Sequence, residues 1–154
     1  MKILIAYYSR TKNTKKLAEE LAEELKAEID EIEDEKDRSG WIGAFIGGFD
    51  SLFKIKTPIK NKKDPEKYDL IILGTPVWAR KMTPAIRTYF YKYEFKNIAF
   101  FSTSESEETK QFTEMTILSK KPIATLSVKK STINSNKTNK KISEFINQIK
   151  NIIH

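Results

Sequence analysis

"AYYSRTKNTKKLAEEL", residues 6–21, changes character halfway along. Its first residues close an apolar run from Ile3 to Tyr8. Its last begin a stripe of Leu17, Leu21 and Leu25 flanked by Ala18 and Ala22, with Glu19, Glu20, Glu23 and Glu24 on the opposite side. A buried strand therefore passes through a polar turn into an amphipathic helix. The turn, Ser9 to Thr14, carries hydroxyls, an amide and two cations, and Asn13 or Thr14 is placed to cap the helix. Backbone N–H groups at a helix N-terminus, helped by the helix dipole, bind anions. The hydroxyls of Ser9, Thr11 and Thr14 suit phosphate oxygens, and Arg10 and Lys12 add charge. An ordinary capped turn would use the same residues, so this loop does not decide alone.

Outward from this stretch, three more continuous apolar runs follow, Leu70 to Leu73, Ile98 to Phe101 and Ile123 to Val128. Continuous rather than alternating runs are expected of strands covered on both faces of a parallel sheet. Helical patterns separate them, near Thr83 to Tyr91 and Thr109 to Lys120. A last one carries Ile142, Phe145, Ile146, Ile149 and Ile153. Ala27 to Glu33 offers a weaker edge strand. Alternation of this kind implies a doubly wound α/β sheet, with ligands outside the carboxyl ends of the strands where strand order reverses.

At 154 residues the chain is expected to form one domain, 1–154, burying about 70% of its unfolded surface. Cys is absent and the only His is His154, so disulfides, thiolate chemistry and Cys-ligated metals are excluded and a buried catalytic imidazole is not expected. No signal peptide or membrane span is visible, and the expected location is cytoplasmic, with no membrane partner. The net charge of +7 is uneven: the first 37 residues hold seven cations and eleven anions, net −4, leaving +11 for the rest. This is either a solvated surface or the footprint of an acidic partner. No aromatic-interleaved platform for nucleic acid is present, and none is expected to bind.

The second loop, "LGTPVWARKMTPAIRTYF" at residues 73–90, runs from strand through a small-residue turn to Trp78, then restarts a helix with Thr83 as N-cap and Pro84 at its first position. A Trp directly after a buried strand needs a cover, either its own domain or a flat aromatic ligand. Phosphate motifs of other kinds fail, since neither G-x-x-x-x-G-K-[ST] nor G-x-G-x-x-G occurs.

Taken with Tyr7, Ser9, Thr14, Ala18 and Leu21, this loop resembles the flavodoxin family, through Gly74, Thr75, Pro76, Val77 and Trp78 followed by Pro84, Ile86, Arg87, Thr88 and Phe90. The resemblance implies a three-layer flavodoxin-like fold of five parallel strands in the order 2-1-3-4-5, binding FMN non-covalently. It assigns the phosphate to Ser9, Arg10, Thr11, Lys12, Asn13 and Thr14, and the flavin ring to Thr75, Pro76, Val77, Trp78 and Ala79. The flavin's pyrimidine end falls to Ser102, Thr103 and Ser104 in the loop "FFSTSESEETKQF", residues 100–112. Lys12 stands where the family usually has Gly or another small residue: a positive φ there would strain a lysine, whereas a right-handed turn would let its ammonium reach the phosphate. Glu105, Glu107 and Glu108 are expected to favour the next helix N-terminus.

Two segments fall outside these motifs. In "SGWIGAFIGGFDSLF", residues 39–53, Trp41, Phe45, Phe49 and Phe53 recur every four residues with Gly43 and Gly47 on another face. This reads as a crossover helix with aromatics buried and glycines allowing close packing, or, functionally, as a stripe beside the flavin or at a homodimer contact. "KKSTINSNKTNKK", residues 129–141, reads as a solvated basic loop. The function implied is flavin-dependent electron transfer with a redox partner protein, acidic if the basic surface docks it, the chain being a monomer or weak homodimer. A flavin or quinone reductase using NAD(P)H and a protein-binding module that has lost FMN are the alternatives.

Overall fold

The computed structural model describes residues 1–107 and 109–153, with the side chains of Trp41 and Ile153 left aside. The expectations for Glu108, Trp41 and the Ile153 side chain lie outside the described residues, as does His154. The elements run β1 Ile3–Tyr7, α1 Asn13–Leu25, β2 Glu28–Glu31, β3 Glu33–Asp34, α2 Gly40–Leu52, β4 Ile59–Lys60 and β5 Leu70–Trp78. They continue with β6 Lys81–Met82, α3 Pro84–Lys92, β7 Ile98–Ser104, α4 Lys110–Leu118, β8 Thr125–Lys129 and α5 Asn136–Ile153.

Five strands pair in parallel in the order β2-β1-β5-β7-β8, which is the expected 2-1-3-4-5. Burial on both faces explains their unbroken apolar runs. In β1, Ile3, Ile5 and Tyr7 point into a cluster with Leu17 and Leu21 of α1 and Phe145 and Ile149 of α5. Leu4 and Ala6 point the other way, toward Ile86 and Tyr89 of α3 and Met115 of α4. The same alternation splits β5 and β7: Leu70, Ile72 and Phe101 go to the first cluster, Ile71, Leu73 and Phe100 to the second. Each such aliphatic side chain contributes about 1.5–3 kcal/mol by leaving water.

Three expectations need correction. β5 and β7 are longer than their apolar cores, so Thr75 to Trp78 and Ser102 to Ser104 are strand residues rather than loop. The ladder explains this, since Ser102 pairs with both Thr75 and Ser127, and Thr103 with both Pro76 and Val128. Residues 129–141 are not a solvated loop throughout. A 3-10 turn spans Lys130–Thr132, α5 begins at Asn136, and Thr138 is buried with its hydroxyl near Thr132 Oγ1 (3.4 Å).

The third concerns α2, which forms as expected but faces the other way. Gly43 and Gly47 are inside, while Phe45 is 73% exposed, with Phe49 and Phe53 also exposed. A Cβ on Gly43 would lie 2.1 Å from the Arg38 carbonyl carbon, and one on Gly47 2.6 Å from the Trp78 ring, so only a bare backbone approaches this closely.

Gly74 sits opposite Phe101 across the β5–β7 ladder, and a Cβ there would fall 2.0 Å from Phe101 Cζ. Gly74→Ala is expected to lower unfolding stability by about 1–3 kcal/mol through overpacking, measured by urea titration. An unchanged midpoint would show that Phe101 swings aside freely.

Candidate functional site

The carboxyl ends of β1 and β5, neighbours in the sheet, bring the first two loops together. After Tyr7 the chain leaves the sheet through Tyr8 and the turn of Ser9, Arg10, Thr11 and Lys12. Arg10, Thr11 and Lys12 are exposed, and Ser9 and Asn13 half-buried. Lys12 is the residue before α1 and adopts φ 66°, so the strained alternative is the one realised. Neither Asn13 nor Thr14 caps the helix, which corrects the expected capping. Lys12 takes the cap position with no side-chain bond to the first turn. The Lys15 N–H donates to Ser9 Oγ (3.3 Å) and Asn13 Nδ2 donates to Thr11 Oγ1 (3.2 Å), so the turn's hydroxyls accept from within it. The result is an exposed, cationic helix N-terminus of the kind that receives an anion.

Thr14 behaves differently. It is buried, and its hydroxyl shares a 2.8 Å hydrogen bond with Thr103 Oγ1, tying α1 to β7. The remaining hydroxyls assigned from the resemblance are also internal. Thr75 Oγ1 donates to the Pro76 carbonyl (2.7 Å) and accepts from the Thr83 N–H (3.2 Å). Ser102 Oγ accepts from Gln111 Nε2 (2.8 Å), and Ser104 is buried at the end of β7. Thr75, Ser102, Thr103, Ser104 and Thr14 therefore build the frame beneath the site, and Ser9 to Asn13 form its exposed lip.

Trp78 ends β5 and is half-buried, while Pro76 is buried and Val77 half-buried. β5 turns back at once: Val77 pairs with Met82 and Trp78 with Lys81, so Ala79 and Arg80 are the two central residues of a hairpin. Both have positive φ, 49° and 61°, as a tight two-residue hairpin turn requires, although neither is Gly or Asn. This hairpin holds the Trp78 ring in a frame of its own domain. Tyr8 meets it edge-on at 5.6 Å between centroids, Gly47 of α2 passes close to it, and Arg10 and Arg38 each bring a guanidinium within 6 Å of the ring centre (5.9 and 5.8 Å). Arg10 thus joins the two loops physically.

Arg38, Tyr8 and Gly47 did not figure among the sequence candidates. Arg38 lies in an acidic run whose charges look like surface, yet it is buried. Its Nε donates to Asp34 and its Nη1 lies 2.9 Å from Asp50, which also accepts from Lys36 Nζ (2.7 Å). The Thr57 hydroxyl donates to Asp34 (2.7 Å). Burial, with Asp34 behind it, pushes the Tyr8 hydroxyl up to about 12, so the ring beside Trp78 stays neutral. Burial acts to raise Asp50, but the hydrogen bonds from Lys36 and Arg38 outweigh it and hold Asp50 below the usual carboxylate range.

Because Asp50 is held down in the folded state, its contribution is full above the unfolded carboxylate value and is lost as pH falls through the lowered one. Asp50→Asn is therefore expected to destabilise the protein at pH 7, with a gap from the parent that narrows below about pH 4, read by urea unfolding at several pH values. A gap of constant size would remove ionisation from the account. Independently, Ala79→Asn with Arg80→Gly is expected to raise stability by about 1–2 kcal/mol, because both positions are left-handed. The same titration measures it.

No family model matches the chain, and no curated protein does. Solved structures do. A flavoprotein in complex with FMN from Lactobacillus acidophilus NCFM is 27% identical, with a TM-score of 0.69 over 86% of this chain and 95% of that one. A Bacteroides uniformis ATCC 8492 protein described as a flavoprotein is 21% identical at a TM-score of 0.71, covering 93% and 96% of the two chains. The oxidised Flavodoxin 2 of Bacillus cereus is 18% identical at 0.56, covering 96% and 97%. The last two likenesses concern the fold alone. With the strand order 2-1-3-4-5 and these structural likenesses, the chain has a flavodoxin-like fold.

Proposed function

We propose that the chain binds FMN non-covalently at the carboxyl edge of its sheet and serves as a flavin-dependent electron-transfer protein. The observation that carries this reading is the junction of an exposed cationic helix N-terminus with an aromatic platform, Arg10 reaching from the first to the ring of the second. The FMN complex of the Lactobacillus acidophilus flavoprotein, similar over most of both chains, supports it.

The residues present fit the cofactor at both ends. Backbone N–H groups of the α1 first turn, the Ser9 and Thr11 hydroxyls and the Arg10 and Lys12 cations would hold the phosphate. Trp78 and the backbone of Val77 to Ala79 would hold the ring. Thr14, Thr75, Ser102 and Thr103 keep the frame rigid from beneath, because their hydroxyls are committed to one another and to Pro76, Thr83 and Gln111. FMN supplies one- and two-electron redox chemistry when bound, and no side chain of this protein need act as a catalyst. The neutral Tyr8 and the buried Arg38 fix the polarity behind Trp78. An acidic redox partner is the proposed electron donor or acceptor, since the chain beyond its first 37 residues carries a net +11.

A visible spectrum of the purified protein, followed by titration of the stripped protein with FMN and riboflavin, tests the reading. FMN is expected to bind much more tightly than riboflavin. Arg10→Ala should weaken FMN roughly tenfold and leave riboflavin nearly unchanged, the loss of one charge-assisted bond. Trp78→Ala should weaken both by roughly three- to tenfold, whereas Phe45→Ala should change neither. Equal affinity for FMN and riboflavin would overturn the phosphate assignment, and no binding of either would leave a protein-binding module. Steady NAD(P)H oxidation with a quinone would instead favour the reductase reading.

A further inference from the structure

The exposed face of α2 has no role in the reading above. Ile42, Phe45, Phe49, Leu52 and Phe53 are each between 50% and 73% exposed, and Phe49 and Phe53 pack on each other in the open at 4.5 Å between centroids. Tyr91 of α3 and Ile117 of α4 are exposed as well, and share with Lys54 and Lys81 the lining of one cavity of about 410 Å³. Most of the protein's exposed large apolar side chains are thus gathered on one side of the sheet. Contiguous apolar surface of this kind marks an interaction site.

Charge tells what would cover it. The only carboxylate on α2, Asp50, is withdrawn from the surface and neutralised by Lys36 and Arg38. Cations follow the helix directly: Lys54, whose Nζ lies 3.9 Å from the half-buried Glu114, and Lys56, 4.4 Å from the centre of the exposed Tyr91 ring, with Lys81 on the adjoining hairpin. The acidic side chains Glu19, Glu20, Glu23 and Glu24 lie on α1, which packs against the opposite face of the sheet. The apolar face of α2 thus carries no exposed carboxylate of its own helix and is edged by cations. Two copies apposed through α2 would bring like charges together. A protein partner would need a groove shaped to this ridge. A lipid surface needs neither, only protruding apolar groups with cations at headgroup level.

We propose that α2 is a membrane-surface element: its apolar ridge enters the headgroup region of an anionic bilayer while Lys54, Lys56 and Lys81 meet the lipid phosphates. The sequence reading expects no membrane partner because it seeks a span and places these aromatics inside. Among the described residues no helix is long and apolar enough to cross a membrane, and lying on the surface requires none. Because Gly47 touches Trp78, the same helix that meets the lipid carries one wall of the candidate site.

The test is co-sedimentation of the full chain with vesicles of phosphatidylcholine alone and of phosphatidylcholine mixed with phosphatidylglycerol, with size-exclusion chromatography in parallel. Binding is expected to the mixed vesicles, about tenfold or more above phosphatidylcholine, falling as salt rises. Phe45→Ser with Phe49→Ser should abolish it, and Lys54→Glu with Lys56→Glu should remove the preference for anionic lipid. Both pairs are exposed, and circular dichroism confirms the fold of each variant. No binding to either vesicle, or full binding by the Phe45→Ser, Phe49→Ser variant, overturns the proposal. So does a solution dimer that the same variant dissociates, which would give the face to a second copy. The experiment requires no flavin, so its failure is separate from failure of the FMN reading.

Discussion

The central strands β1, β5 and β7 have no solvent face, and most features of the molecule answer to that constraint. A strand covered on both sides must be apolar at every position, and both coats of helices must be present before it is stable. Ile5 and Leu4 are adjacent in sequence yet enter different clusters, one closed by α1 and α5, the other by α3 and α4. The cover persists to the strands' carboxyl ends, but its character changes. There the side chains turn polar: Thr75, Ser102 and Thr103 satisfy their hydroxyls within the frame, and the chain becomes free to leave the sheet.

The site is assembled where that freedom is used, and backbone strain accompanies it. Lys12, Ala79 and Arg80 all occupy the left-handed region without being glycine. Each such residue costs about 1–2 kcal/mol, and all three lie in the turn before α1 or in the hairpin after Trp78. The turn gains a helix end facing outward, to which Lys12 itself adds no side-chain cap. The hairpin fixes the Trp78 ring against Tyr8 and within 6 Å of two guanidinium groups. Two glycines meanwhile stand where rings press on the backbone, Gly74 against Phe101 and Gly47 against Trp78, where no Cβ fits.

A buried ionic cluster anchors the crossover beside this ring. Arg38 with Asp34 and Asp50 is held out of water, the opposite charges paired and Thr57 and Lys36 donating further bonds to the two carboxylates. The cluster removes the single acid of α2 from its surface. Electrostatics of the core and character of the outer face are in this way the same fact seen from two sides.

The sequence by itself determined the alternation of strand and helix, the strand order implied by the resemblance and the polar turn between β1 and α1. These signals are local: unbroken apolar runs, helical spacing and turn residues are set within a dozen positions. The tertiary structure decided which side chains are available. Thr14 and Ser102 to Ser104 carry the same hydroxyls whether they face a ligand or a neighbouring strand, and only the ladder and the packing of α1 and α4 turn them inward. Arg38 reads as surface in an acidic run until distant Asp50 meets it. The aromatics of α2 recur every four residues in either orientation, and it was the need for bare backbone against Trp78 that put Gly47 inside and Phe45 in solvent. Periodicity defines a helix's faces, but which face is buried depends on the shape of what it packs against, and that shape comes from residues far away in the chain.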